Sequence, residues 1–285
     1  MIRLVAVDVD GTLLDSRQRV SERNARALRA AAGQALIALA TGRRYRFARP
    51  IADTLEIDCY MIASNGALVR RRDGEVRHRH YLPKKRAEEV MATLAAYEAQ
   101  LVVTFERVGP GELVMKALPG GDSGGAADGP RRAFAGWLER NRQALRFEPR
   151  LAACLTEDPV QLMYGGTPAQ IAAMGAVLAA QPVFAHVTCM RTIYPARELG
   201  ILDVLDQGVS KGAALAKLAA ELGIAPAQVL AIGDNYNDLE MLEFAGTAAV
   251  MGNAHEEMRR PGWMLVADHD HDGVAEALER AGLAP

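Results

Sequence analysis

The chain has 285 residues, of which 50% are hydrophobic and 24% are charged, and its formal net charge is −2. This length favours two domains over one compact core, and the composition is that of a globular protein. The small net charge excludes an electrostatic nucleic-acid binder. No apolar run reaches the roughly 18–20 residues that a membrane-spanning helix needs.

The N-terminal residues lead directly into a predicted strand, and they lack the basic and apolar pattern of a signal segment. Three widely spaced cysteines, Cys59, Cys154 and Cys189, have no suggestive local motif. An odd number of such residues is typical of reduced and buried thiols. We therefore expect a soluble cytoplasmic protein, as a monomer or a small homo-oligomer.

The first predicted strand starts at Leu4 and carries two acids at its end, Asp8 and Asp10, followed by Gly11. Its apolar, β-branched run suits a central strand of a parallel sheet covered by helices on both faces. The carboxyl end of such a strand is where open α/β sheets bind ligands. A solvated turn is the alternative, since Asp and Gly are common turn residues.

Strand and helix patterns then alternate. The predicted elements are a helix over 20–32, a strand over 35–40, a helix over 44–55 and a strand over 59–63. Ser21 is the predicted N-cap of the first helix, and Pro50 is expected to kink or restart the second. Thr41 and Gly42 follow the second strand directly. These repeats predict a parallel, doubly wound sheet with right-handed crossovers.

The pattern changes after the hairpin signal Asp73-Gly74. The predicted elements are helices over 84–98, 131–142 and 168–180, and strands over 101–105, 113–118, 160–164, 183–189 and 201–205. A segment rich in Gly, Asp and Pro, 119–130, is predicted to be a mobile loop. This middle block is typical of a separate α+β domain.

The first pattern returns at Ser210. The predicted elements are helices over 211–222, 239–245, 254–259 and 272–281, and strands over 229–232, 247–250 and 263–266. Lys211 starts the first of these helices, and Asp234, Asn237 and Asp238 follow the first of these strands. We therefore predict one domain from 1–82 and 208–285, interrupted by a second domain over 83–207.

Six motifs in this order resemble the haloacid dehalogenase-like (HAD) hydrolases, and they span nearly the whole chain. They are DxDGT, TGR, SNGA, GVSKG, GDNYNDLEML and VMGNA. Because the inserted block lies between the Thr and Lys motifs, the chain is similar to the Cof-type sugar-phosphate phosphatases. Sucrose-phosphate phosphatases and phosphomannomutases share this placement. The resemblance implies a Rossmann-like doubly wound parallel sheet core with an inserted α+β cap of type B.

The resemblance also implies a role for each polar residue in the hydrolysis of a small phosphorylated metabolite. We expect neither a nucleic acid nor a membrane as a partner. Asp8 would be the nucleophile that forms an aspartyl-phosphate, and Asp10 the general acid and base. Mg²⁺ would be held by Asp8, Asp234 and the backbone carbonyl of Asp10. The phosphoryl-binding and supporting residues would be Thr41, Gly42, Lys211, Asn237 and Asp238, the last of which would orient Lys211 or a metal-bound water. The inserted domain would select the leaving group.

Two other functions stay open at this point: a phosphosugar mutase, and a catalytically silent regulator that binds a phosphometabolite. Each residue alone also has a structural interpretation, because Thr41 could cap a helix and Lys211 could be a surface lysine. Their joint placement at strand ends or a helix start of the outer domain favours an active site. The segment from His269 to Asp272 could ligate a metal, but a polar loop before the last helix is the preferred interpretation.

Overall fold

The computed structural model describes residues 1–118, 135–194 and 198–285. The predicted mobile loop over 119–130 lies outside the described residues. The chain divides into two compact units, Met1–Arg79 with Val209–Pro285, and His80–Gly208. Within the described residues, no helix has both the length and the hydropathy to span a membrane.

Strands and helices alternate along most of the chain. The strands are β1 (Leu4–Asp8), β2 (Leu36–Ala40), β3 (Cys59–Ala63), β4 (Leu68–Arg71), β5 (Val76–Arg79), β6 (Leu101–Thr104), β7 (Leu113–Lys116), β8 (Leu145–Glu148), β9 (Gln161–Gly166), β10 (Val187–Tyr194), β11 (Leu199–Asp206), β12 (Val229–Gly233), β13 (Thr247–Val250) and β14 (Met264–Leu265). The helices are α1 (Glu22–Ala32), α2 (Tyr45–Leu55), α3 (Lys84–Thr93), α4 (Ala135–Arg140), α5 (Pro168–Ala179), α6 (Lys211–Glu221), α7 (Leu239–Phe244) and α8 (Gly273–Arg280).

The first unit is built on a sheet in the order β14-β13-β12-β1-β2-β3-β4-β5. Pairing is parallel from β14 to β3, and the hairpin of β4 and β5 adds two antiparallel strands. Strand β1 is central, between β12 and β2, with Leu4 opposite both Val229 and Leu36. From β1 the chain adds β2 and β3 on one side, and it later adds β13 and β14 beyond β12 on the other. The strand order therefore reverses next to β1, and such reversal points are where these sheets bind ligands.

Successive residues of β1 enter opposite faces of the sheet. Val5 and Val7 pack with helices α1, α2 and α8, whereas Leu4 and Ala6 pack with α6 and α7. A strand that is buried on both faces has to be apolar throughout, and β1 is fully buried. The prediction of a doubly wound α/β fold with an inserted α+β block is confirmed.

The second unit contains a sheet in the order β10-β11-β9-β6-β7-β8, antiparallel except between β7 and β8. Helices α3 and α5 pack on one of its faces through a core that includes Leu94, Tyr164 and Met174. A second apolar cluster lies on the other face and includes Val102 and Met163. Each unit thus has a core of its own.

Several predicted elements differ from the observed ones. Helix α3 ends at Thr93 and a 3₁₀ segment follows over Ala95–Gln100, because Leu94 leaves the helical region at φ −101° and ψ 29°. Residues 183–186 form a 3₁₀ turn that starts at Pro182, so the predicted strand begins only at Val187. Helix α2 runs through Pro50 as one element. The helix predicted over 254–259 is a single 3₁₀ turn.

Candidate active site

Asp8 ends the central strand, and the residue is 3% exposed. Its Oδ1 atom accepts a hydrogen bond from Lys211 Nζ at 2.7 Å. Its Oδ2 atom is buried and has no hydrogen-bond partner among the residues that the structure describes. Burial and the charge of Asp238 raise the pKa of Asp8 to about 7, although Lys211 acts in the opposite direction. An unpartnered, buried carboxylate oxygen is costly, which points to a ligand at this position.

Lys211 is the first residue of α6 and is fully buried. Ser210 caps this helix by accepting from the Ala213 amide, which fixes the direction in which Lys211 leaves the backbone. Its ammonium donates to Asp8 Oδ1 and to Asp238 Oδ1, each at 2.7 Å. Burial alone would lower its pKa, but the charges of Asp238 and Asp8 outweigh burial and raise it. The lysine is therefore a fixed positive charge.

Asp234 and Asp238 follow β12, the neighbour of β1. Ligand-type oxygen atoms of Asp8, Asp234 and Asp238 all lie within 4.8 Å of one another. Asp238 uses both oxygens, since Oδ1 binds Lys211 and Oδ2 accepts from the amides of Asp234 and Asn235 at 3.1 Å. It therefore orients the lysine and the loop.

Asp234 is nearly buried, and both of its oxygens are held by neutral donors. Thr12 Oγ1 donates to Oδ1, and Asn253 Nδ2 donates to Oδ2, both at 3.1 Å. Burial, followed by the charges of Asp8 and Asp238, raises its pKa well above the usual value. A divalent cation would offset the repulsion among these carboxylates, which adds to the effect of burial. Hard carboxylate oxygens are what Mg²⁺ prefers, so the donor set fits that ion.

Asp10 lies two residues beyond β1 and is partly exposed. Arg43 holds it in a bidentate pair, with Nε 2.7 Å from Oδ2 and Nη2 2.5 Å from Oδ1. Arg43 Nη2 also donates to Gln18 Oε1 at 2.6 Å. Bidentate pairing of this kind fixes the orientation of a carboxylate.

The remaining predicted residues lie at the carboxyl ends of β2 and β12. Thr41 is fully buried, and its Oγ1 accepts from the Arg43 amide at 3.0 Å. Gly42 packs closely on Asn65, whose side chain would be 3.3 Å from a Cβ atom added at Gly42. Asn237 donates to Asn65 Oδ1 at 3.0 Å. The SNGA motif therefore supports the TGR and GDNYND motifs.

Sequence reasoning assigned no role to Arg43, Thr12 or Asn253. All three lie in motifs that were recognised, TGR, DxDGT and VMGNA. Arg43 could have been found from its position, because Asp8 pairs with Ala40 and the chains beyond them leave the sheet side by side. Thr12 and Asn253 give no such signal. Their shared partner, Asp234, lies more than two hundred residues from Thr12 and about twenty residues from Asn253.

The fold and the site define a class of hydrolase. A family model described as haloacid dehalogenase-like hydrolase matches residues 5–109 and 180–278. The chain therefore belongs to the haloacid dehalogenase-like hydrolases. The predictions of this family and of a phosphoric monoester hydrolase are confirmed.

Relatives with established names cover nearly the whole chain. Phosphatase YwpJ of Bacillus subtilis (strain 168) is 26% identical, over 98% of this chain and 99% of the relative. The HMP-PP phosphatase of Shigella boydii serotype 4 (strain Sb227) is 29% identical, over 91% of each. The phosphatase BT1666 of Bacteroides thetaiotaomicron has a similar fold, with a TM-score of 0.79 and 24% identity over 99% of this chain and 96% of that protein.

Proposed function

We propose that this chain is a Mg²⁺-dependent phosphatase that hydrolyses small phosphomonoesters, such as sugar phosphates, through an aspartyl-phosphate on Asp8. The observation that carries this proposal is the state of the Asp8 carboxylate. Lys211 holds one of its oxygens, and the other is buried without a hydrogen-bond partner in the described part of the chain. That oxygen is open to a ligand, at the sheet edge where this fold places its chemistry.

Asp8, Asp234 and the backbone carbonyl of Asp10 would hold Mg²⁺ in this proposal. The ion would offset the negative charge of the phosphate and of Asp8, which otherwise repel each other. Asp238 is assigned a supporting role, because its oxygens accept three hydrogen bonds, one of them from the charged Lys211, whereas those of Asp234 accept two from neutral donors.

In the first half of the reaction, an Asp8 oxygen attacks phosphorus and the bond from phosphorus to the alcohol oxygen breaks. Asp10 gives its proton to the departing alcohol. In the second half, water attacks the phosphorus of the aspartyl-phosphate, Asp10 accepts a proton from that water, and Asp8 is released with inorganic phosphate. Arg43 contacts both oxygens of Asp10, so it fixes the direction in which Asp10 presents the proton.

Lys211 and Thr41 are assigned to the phosphoryl oxygens. The lysine supplies a fixed charge, and the threonine supplies a hydroxyl donor. Gly42 and Asn237 lie beside them, where their N–H groups would complete the binding of the phosphoryl group.

The test compares wild type with Asp8→Asn and with Asp58→Asn, a matched change of an exposed aspartate that pairs with Arg71. Each protein hydrolyses p-nitrophenyl phosphate with Mg²⁺ or with excess chelator. We expect no turnover from Asp8→Asn, because an amide is a very poor nucleophile, and none from wild type in chelator. Borohydride added during turnover should convert residue 8 to homoserine, which peptide mass spectrometry detects. Activity of Asp8→Asn, or full activity in chelator, would refute the proposal.

We also propose that the second unit, His80–Gly208, selects the alcohol. The residues assigned to phosphoryl chemistry all lie in the first unit, and they contact the part that every phosphomonoester shares. Exchange of 83–207 for the corresponding block of a related phosphatase should move the ranking of substrates by kcat/KM toward that of the donor. Hydrolysis of p-nitrophenyl phosphate should stay within about tenfold. A folded chimera that keeps the original ranking would place specificity in the first unit.

A further inference from the structure

Asn253 lies in the loop after β13, and its side-chain amide makes three hydrogen bonds. Its Nδ2 atom donates to the Gly11 carbonyl at 2.9 Å and to Asp234 Oδ2 at 3.1 Å. Its Oδ1 atom accepts from the His269 amide at 3.1 Å. These partners lie in three separate segments of the chain: the turn after β1, the loop after β12 and the loop before α8.

The His269 contact fixes which way the amide of Asn253 faces. A backbone N–H only donates, so the atom opposite it has to be the oxygen, and the NH₂ group then faces Asp234 and Gly11. Aspartate would lose the two donors, and leucine would lose all three contacts. Only a side chain with both a donor and an acceptor at this position satisfies all three partners.

The contact lies where two segments of the proposed metal site approach each other closely. Gly11 has a φ of +86°, and a Cβ atom added there would be 2.4 Å from Asp234 Oδ2. Thr12 holds the other oxygen of Asp234. With one donor on each oxygen, the carboxylate cannot rotate freely, and each oxygen still has a lone pair for a cation.

We infer that Asn253 is a positioning residue that holds the Asp234 carboxylate against the turn after β1 and thereby sets the affinity of the site for Mg²⁺. This inference rests on the proposed function. Partners that orient a metal ligand typically contribute about 10–100-fold to metal affinity or activity. The loss on removing Asn253 should therefore appear mainly in the Mg²⁺ requirement.

The same C-terminal loop supplies a matched control. Asp270 accepts from the Ser16 amide at 2.8 Å and from Ser16 Oγ at 2.6 Å, so it holds the segment after β1 at a second point. Ser16→Ala removes the hydroxyl contact to this loop and does not touch Asp234. Asn253 is exposed, so Asn253→Ala and Asn253→Ser leave no buried cavity.

Thermal unfolding of each protein is measured against Mg²⁺ concentration, which reports binding without turnover. Hydrolysis of p-nitrophenyl phosphate is measured over the same concentrations. We expect the apparent Kd for Mg²⁺ to rise at least about tenfold in Asn253→Ala and Asn253→Ser. Their kcat at saturating Mg²⁺ should stay within about threefold of wild type, and Ser16→Ala should bind Mg²⁺ within about twofold.

If Mg²⁺ stabilises the wild type and both Asn253 variants bind Mg²⁺ with unchanged affinity, the role of Asn253 is refuted and the proposed function is not. An equal loss in Ser16→Ala would assign the effect to the loop as a whole and would also overturn the inference. A wild type that Mg²⁺ does not stabilise would refute the metal dependence of the proposed function, and the inference would fall with it.

Discussion

Replacement of Lys211 by methionine should destabilise the first unit strongly, and the cost should depend on pH. The ammonium is buried between Asp8 and Asp238, at 2.7 Å from an oxygen of each. Methionine fills similar space without the charge, and two buried carboxylates then face each other. Removing one partner of a buried ion pair costs about 3–5 kcal/mol, and we expect a loss in that range at pH 8 in chelator.

The pH dependence follows from the pKa of Asp8. The folded state raises this pKa from 3.8 to about 7, so between these values the folded protein binds more protons than the unfolded chain. Stability of the wild type should therefore fall as the pH rises through this window. Without Lys211 the pKa of Asp8 rises further. At a pH above that pKa, each unit of the rise lowers the free energy of unfolding by about 1.4 kcal/mol. At pH 5, below the pKa of Asp8, the cost of Lys211→Met should be smaller, because Asp8 is then neutral and only Asp238 loses a charged partner.

The assay is urea unfolding in chelator, followed by the fluorescence of Trp263. This residue packs against the core of the first unit, whereas Trp137 lies in the second, so a Trp137→Phe background isolates the signal. Lys217→Met is the control, because Lys217 lies exposed on the same helix and its loss should change stability by less than about 0.5 kcal/mol. Equal stability of the two lysine variants at pH 8, or a cost of Lys211→Met that does not change with pH, would refute the reasoning.

Three further predictions concern the same site. Asp10→Asn should slow the hydrolysis of alkyl phosphates far more than that of p-nitrophenyl phosphate, whose leaving group needs no proton; equal losses in kcat would exclude Asp10 as the acid. Gly11→Ala should lower Mg²⁺-supported turnover more than about tenfold, since its Cβ meets Asp234, whereas Gly223→Ala, at φ +63° with open space, should stay active. Mg²⁺ should raise the Tm more at pH 8 than at pH 5.5, because protons compete for Asp8; equal shifts would contradict this.

The strands of the first unit could be predicted from sequence because they are buried on both faces. Such strands are continuous apolar runs with polar residues at their ends, as at β1 and β3, and β3 has the predicted bounds of Cys59 to Ala63. The same property places Asp8 and Asp234 at one edge of the sheet, because they lie at the carboxyl ends of the paired strands β1 and β12. Lys211 instead starts the helix that precedes β12.

Other features depend on contacts that have no local pattern. Strand β8, Leu145–Glu148, was not predicted, because it is short and half of its residues are charged. The end of α3 at Thr93 has no Gly or Pro signal. The Arg43–Asp10 pair depends on the directions that two loops take beyond their strands. The contacts of Asn253 need three loops to meet, which only the folded chain specifies.

The pairing of the central strand β1 with the distant strand β12 determines when the first unit can fold during synthesis. Its register with β12 joins Leu4 to Val229, so one edge of β1 stays unpaired on a ribosome-bound chain until the β12 residues emerge. An open, apolar strand edge is a site of aggregation, and such distant pairing folds slowly. In truncated products that stop before residue 229, one edge of β1 would therefore stay uncovered and Asp234 would be missing. Because β12 starts at residue 229 of 285, the site of a nascent chain is completed only in the last fifth of synthesis, and this edge of β1 stays exposed until then.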